Sequence, residues 1–176
     1  TITYTDGSGF DPSIPELTRC GWALVQMGED GLPARAAYGT LPGARQTVGR
    51  AERWAFLQAL RLTPYMHLVV TDLDALAREI EAWDEDLASS SGQYADIWRQ
   101  AFDVRRGQPR PSGSWCPAHL KFDAYVEDDT LDVMDFLGNA WADWFAKVGA
   151  LEHKLPDTLA DLFKVKLADA REEASV

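Results

Sequence analysis

Cysteine and histidine are scarce here: two Cys and three His in 176 residues. Cys20 and Cys116 both lie in strand-like apolar surroundings, so two reduced thiols are expected rather than a disulfide framework, which points to an intracellular compartment. No Cys/His spacing suits a tetrahedral site, which excludes zinc. Long apolar runs are lacking too. No stretch approaches the roughly 20 residues of a membrane span, and the first residues show no basic-then-apolar signal pattern. Bases are outnumbered, 17 Lys plus Arg against 28 Asp plus Glu for a net charge of −11. That balance argues against non-specific binding of a polyanion.

What the chain does hold is apolar bulk. Seven Trp, seven Phe and a 46% hydrophobic content suffice for one domain with a substantial core, and no composition break suggests two. Charge is unevenly spread. Arg99, Arg105, Arg106 and Arg110 face a single acid, Asp103, whereas Asp123, Glu127, Asp128, Asp129, Asp132 and Asp135 run without a base. A phosphate backbone could use the first stretch and would avoid the second.

Alternation and turn punctuation predict strands over 2–5, 20–27 and 34–41, the latter two joined by Gly28-Glu29-Asp30-Gly31. Helical spacing follows over 49–62, then a buried strand over 67–71, helices over 73–83 and 94–104, and a short fifth strand over 114–116. Residues 120–132 read as an acidic loop, and 135–148 as a strongly periodic helix. Pro156-Asp157 opens a last helix with Leu159, Leu162, Phe163 and Leu167. Three strands in hairpin succession, then alternating helix and strand, imply an α/β fold with a mixed sheet flanked by helices. Residues 1–150 form its body and 151–176 a helical extension, packing on the domain being the expected role of that helix. The start inside a strand at Thr1, without Met, leads us to expect an excised or processed domain.

Carboxylates recur at the ends of these elements. Thr5-Asp6-Gly7-Ser8 closes the first strand, Val70-Thr71-Asp72 closes the fourth, and Gly138-Asn139-Ala140-Trp141-Ala142-Asp143 sets a third aspartate on a helix. Such delivery is what a divalent-metal site with oxygen ligands requires. Each residue also has a plainer reading: Asp6 in an Asp-Gly turn, Glu52 as a solvated helix acid beside Arg53, Asp72 as an N-cap, Asp143 on a polar face. Asp74 reads as first-turn charge complementing the helix dipole.

Taken with Gln46-Thr47-Val48-Gly49-Arg50-Ala51-Glu52, and with Ala146-Lys147-Val148-Gly149-Ala150 after the last motif, these segments resemble type 1 ribonuclease H over about residues 1–150. The likeness is to the divergent domains of retrotransposon and reverse-transcriptase polyproteins. The resemblance implies a five-stranded mixed sheet, three strands antiparallel and two parallel. It also implies a metal-dependent endoribonuclease that hydrolyses the RNA strand of RNA/DNA hybrids by a two-metal-ion route. The acidic quartet then falls on Asp6, Glu52, Asp72 and Asp143, holding two Mg²⁺ with Mn²⁺ as a substitute. His119, in Trp115-Cys116-Pro117-Ala118-His119-Leu120, matches the loop histidine that assists proton transfer or product departure. Substrate contacts are implied for Gly7, Ser8, Gln46, Thr47, Arg50 and Asn139, reading the 2′-hydroxyls that distinguish RNA from DNA. Partners would be the hybrid and a reverse transcriptase or other domain of one polyprotein, with no membrane and a monomeric state.

Three departures from the pattern keep alternatives open. Twenty-four positions separate His119 from Asp143, Val48 and Gly49 stand where relatives often have Asn or Gln, and Asp84-Glu85-Asp86 replaces a basic protrusion. Hybrid affinity then falls to Arg99, Arg105, Arg106 and Arg110 or to a neighbouring domain. A catalytically degenerate module that only binds nucleic acid or spaces its neighbours is one alternative. Another is a 3′–5′ exonuclease of the wider superfamily.

Overall fold

The computed structural model describes residues 1–118, 121–128 and 131–173. Its sheet has the order β3-β2-β1-β4-β5, built from β1 (Ile2–Phe10), β2 (Arg19–Met27), β3 (Pro33–Thr40), β4 (Leu68–Thr71) and β5 (Ser112–Trp115). β1 is antiparallel to β2, β2 to β3, while β1–β4 and β4–β5 are parallel. This is the mixed five-stranded sheet expected.

Helices cover both faces. On one, α1 (Val48–Leu62), α2 (Asp74–Ala82) and α3 (Ala95–Val104) bury Phe56, Leu57, Leu60, Leu76, Ile80, Ile97 and Trp98 against Leu24 and Val69. On the other, α5 (Val133–Leu151) sets Ala142 against Tyr4, Val25, Val70 and Cys116. The face-to-face alternation of strand side chains explains why Tyr4, Val25 and Val70 are register partners and share one cluster. The two cysteines lie in separate clusters. Burial pushes the Cys20 thiol up to about 11 and the Cys116 thiol to about 12.

Close backbone approach fixes where the helices sit. A Cβ on Gly7 would lie 2.3 Å from the Glu52 nitrogen, so α1 crosses β1 in direct contact there. A Cβ on Gly21 would lie 2.2 Å from the Ala150 nitrogen, and one on Gly149 2.4 Å from the Gly39 oxygen. The small-residue stripe of α5 therefore rests on the backbone of β2 and β3.

Two local expectations differ, and one further segment takes a defined form. β1 does not end at Thr5: it pairs with β2 through Gly7↔Trp22 and Ser8↔Gly21 as far as Phe10↔Arg19. The ladder's hydrogen bonds override the weak strand preference of Asp-Gly-Ser-Gly. Within the acidic stretch, Phe122–Glu127 forms a short helix, α4, with Tyr125 buried against Phe136 at 5.2 Å between ring centroids. A six-residue helix is too short for periodicity to reveal. A 3₁₀ turn at Glu85–Ala88 fills the segment after Trp83.

α6 (Asp157–Glu173) touches the body through buried Ala160 and through Lys164 Nζ at 2.8 Å from Asp11, with Leu159, Leu162 and Val165 exposed. His153, just after α5, bonds the Cys20 carbonyl at 2.9 Å. Among the described residues no helix is long and apolar enough to cross a membrane.

One ion pair, with Arg53 buried and Glu79 half-buried, braces the α1 face. Arg53, on α1, donates Nε to Glu79 Oε2 at 2.7 Å and Nη1 to the Gly49 carbonyl at 2.8 Å, and stacks 4.1 Å from the Tyr94 ring centroid. Removing one partner of such a pair strands the other, so Arg53→Met is expected to cost about 3 kcal/mol of stability, read by urea unfolding. A loss under about 0.5 kcal/mol, as for an exposed pair, would show that solvent screens it.

Candidate metal centre

Asp6 lies on β1 two residues beyond Tyr4, where the parallel pairing with β4 ends at Tyr4↔Val70. Asp72 follows Thr71, the last residue of β4. The two aspartates are thus carried past the parallel ladder on neighbouring strands, and α1, seated on Gly7, brings Glu52 beside them. One carboxylate oxygen from each of Asp6, Glu52 and Asp72 lies within 4.8 Å of the others. Among the described residues, these three form a metal-capable cluster.

Leu73, not Asp72, occupies the N-cap position of α2, and the Leu73 N–H donates to Thr71 Oγ1 at 3.2 Å. Asp74 forms an i,i+4 pair with Arg78, away from the cluster. Asp143 stands at the margin. With Asp72, Pro117, Tyr125, Phe136, Asn139 and Ala140 it lines a cleft of about 120 Å³, while its Oδ2 accepts from Lys147 Nζ at 2.6 Å. The structure therefore brings three of the four carboxylates together and sets the fourth on the wall of the adjoining cleft.

The electrostatics are those of buried, mutually repelling acids. Asp6 and Glu52 are each only 4% exposed. Burial first, then repulsion from Asp72 and Asp143, holds the Asp6 carboxyl well above its usual range. Burial, then Asp6 and Asp72, does the same to Glu52. Lys147 and the Gly7 backbone amide offset part of this for Asp6, and the Gly7 amide and Arg53 do so for Glu52. Asp6 Oδ2 and Glu52 Oε2 have no hydrogen-bond partner, an uncommon state for buried oxygens.

A stability consequence follows. A carboxyl whose folded pKa is raised keeps a proton that the unfolded chain releases near pH 4. Its contribution is full below that pH and is lost as pH rises through the folded value. In chelator, the melting temperature is expected to fall as pH rises above about 4.5. Asp96, held low by Arg50, acts with the opposite sign, but only below the unfolded carboxylate range and so outside this window. Thermal melts across the window check this, and a flat or rising profile would contradict it.

The other sequence-predicted contacts divide. Gln46 is engaged in the fold, its oxygen accepting from Cys20 N–H at 2.9 Å and its amide donating to Leu41 and Gly43 carbonyls at 2.9 and 2.7 Å. Arg50 is paired with Asp96, Nη1 to Oδ1 at 3.0 Å. Thr47 is the exposed N-cap of α1, Ser8 is half-buried on β1, and Asn139 lines the cleft. His119 lies outside the described residues. Of the arginines expected to supply hybrid affinity, Arg105 is only 5% exposed and donates to the Pro64 carbonyl at 2.9 Å. Pro64 lies beyond the far end of α1 from Glu52. Arg106 is tied to Asp103. Sequence reading missed Tyr125, hidden in the acidic run, and the Asp143–Lys147 pair, whose i,i+4 spacing was legible.

No protein-family model matches the chain, and no curated protein matches it in sequence. Solved structures do. LC11-RNase H1, isolated from compost by a metagenomic approach and solved with an RNA/DNA hybrid, superposes with TM-score 0.60 at 16% identity, covering 86% of this chain and 96% of that one. RNase H1 of the halophilic archaeon Halobacterium salinarum gives 0.54 at 20% identity, over 84% and 95% of the two chains. The prototype foamy virus protease–reverse transcriptase gives 0.63 at 20% identity over 85% of this chain, which spans only 20% of that protein. Such identities speak to architecture: this chain has the ribonuclease H fold.

Proposed function

We propose that this domain is a divalent-metal-dependent endoribonuclease acting on the RNA strand of RNA/DNA hybrids. The observation that supports this most is the buried cluster of Asp6, Glu52 and Asp72, with two carboxylate oxygens unpartnered. Three clustered hard oxygen donors fit Mg²⁺, with Mn²⁺ as a substitute. In this reading Asp6, Glu52 and Asp72 hold one cation, and Asp72 and Asp143 flank a second. Bound divalent cations supply neutralisation of the phosphate and a more acidic water, a contribution of several kcal/mol. The chain's own groups orient the strand: the Gly7 backbone and Ser8 beside Asp6, Thr47 at the head of α1, and Asn139 in the cleft. Gln46 and Arg50 act behind them, holding the loop before α1 and the start of α1. His119 is assigned to proton transfer or product departure on sequence alone. The hybrids bound by LC11-RNase H1 and by the foamy virus enzyme support the substrate class, and the latter a reverse-transcriptase partner.

The test is a labelled hybrid with Mg²⁺. Internal cuts leaving 5′-phosphate and 3′-hydroxyl ends, persisting when the hybrid's ends are blocked, are expected. No cleavage at micromolar enzyme would contradict the assignment, and cutting only at free ends would indicate an exonuclease. A degenerate module that only spaces its neighbours is favoured by the internal engagement of Gln46 and Arg50 and by the net charge of −11. Calorimetry separates the two, since such a module binds no Mg²⁺ at the cluster.

A further inference from the structure

We infer that Tyr4 and Asp135 form a strut that sets the position of Asp143, and with it the second cation position; the inference rests on the metal-centre reading above. Tyr4 Oη donates to Asp135 Oδ1 at 3.0 Å across 131 positions of sequence. The tyrosine is 2% exposed, and its ring fills a notch at Gly138, where a Cβ would stand 2.4 Å from Tyr4 Cδ2. The ring fixes how closely α5 approaches β1. The hydroxyl fixes how α5 is turned about its axis.

Both ends of the strut lie on elements that carry the centre. Tyr4 precedes Asp6 by two residues, so the two point to one face of β1 and stand roughly 7 Å apart. Asp135, Asn139 and Asp143 recur every four residues of α5, within about 12 Å along its axis, on one slowly drifting face. Asn139 and Asp143 line the cleft that Asp72 enters. Asp143 is paired with Lys147 on its own helix, so its place follows that of α5. A rotation of α5 moves Asp143 relative to Asp72 and leaves Asp6, Glu52 and Asp72 where β1, α1 and β4 put them. Tyr4 is thus a positioning residue for one of two cation positions, and Asp132, which caps α5 by accepting from the Met134 N–H at 2.8 Å, fixes only the helix start.

The experiment is Mn²⁺ titration by calorimetry of the whole chain and of Tyr4→Phe, Asp135→Ala and Asp135→Asn. Phenylalanine keeps the ring in its notch and removes only the donor, while asparagine keeps an acceptor oxygen. Tyr4→Phe and Asp135→Ala should weaken the second Mn²⁺ roughly tenfold, the scale of one lost buried hydrogen bond. The first Mn²⁺ should be unchanged, and Asp135→Asn should restore the second. Without metal, amide exchange over 138–143 should be faster in Tyr4→Phe and Asp135→Ala than in the parent or Asp135→Asn. Two-site isotherms and exchange identical to the parent's in all variants would overturn the strut and leave the metal centre standing. A parent that binds no Mn²⁺ would instead defeat the metal-centre reading, and the exchange comparison would still decide whether the strut exists.

Discussion

Asp6→Asn is expected to do two opposite things. Hybrid cleavage should fall by about 10³-fold, the kinetic equivalent of losing a several-kcal/mol cation contribution. Metal-free stability at neutral pH should rise by something of the order of 1 kcal/mol, as when a strained functional site is relieved. The physical reason lies in the cluster. At neutral pH, Asp6 resists ionisation because burial and the charges of Asp72 and Asp143 oppose it. An amide of the same shape feels neither penalty. The stabilisation should vanish below about pH 4, where the unfolded carboxyl is itself protonated. Cleavage assays paired with melts in chelator at pH 4 and 7.5 measure both effects. Full activity in Asp6→Asn would remove it from the chemistry, and a lower melting temperature at pH 7.5 would show that its charge is compensated.

Gly7→Ala should be the most damaging single methyl group in the molecule for site geometry. Its Cβ would stand 2.3 Å from the Glu52 nitrogen and 2.7 Å from the Ala51 carbonyl carbon. Neither neighbour is a pliable side-chain tip, so α1 must move off β1. Overpacking of this kind costs about 3 kcal/mol, which for a chain of this length lowers the melting temperature by about 6–12 °C. The same displacement carries Glu52 away from Asp6, so divalent-metal affinity should fall with stability. Paired melts and Mn²⁺ titrations check the coupling. A variant that loses stability yet binds Mn²⁺ as the parent does would show that the α1–β1 contact is not what places Glu52.

Much of this architecture was written in local pattern. Alternation and Gly-Glu-Asp-Gly punctuation located the β2–β3 hairpin, and the apolar stripes of α1, α2, α3 and α5 located those helices within a few residues. The three clustered carboxylates were legible because each sits beside a recognisable boundary: the first strand, the head of α1, the end of β4. Tertiary effects were not legible. Asp-Gly-Ser reads as a turn until β2 is there to pair with it. Gln46 and Arg50 read as substrate contacts until Cys20, Leu41, Gly43 and Asp96 close around them. Arg105 reads as a surface base, yet the end of α3 buries it against Pro64. Each depends on a partner between 13 and 46 positions away, beyond the reach of local periodicity.

The central claim is that Asp6, Glu52 and Asp72 grip a cation jointly. Anomalous diffraction from a crystal soaked in Mn²⁺ tests it most directly. A peak in contact with one oxygen of each of the three carboxylates is predicted, with a second toward Asp143. A saturated soak with no peak among Asp6, Glu52 and Asp72 would contradict it.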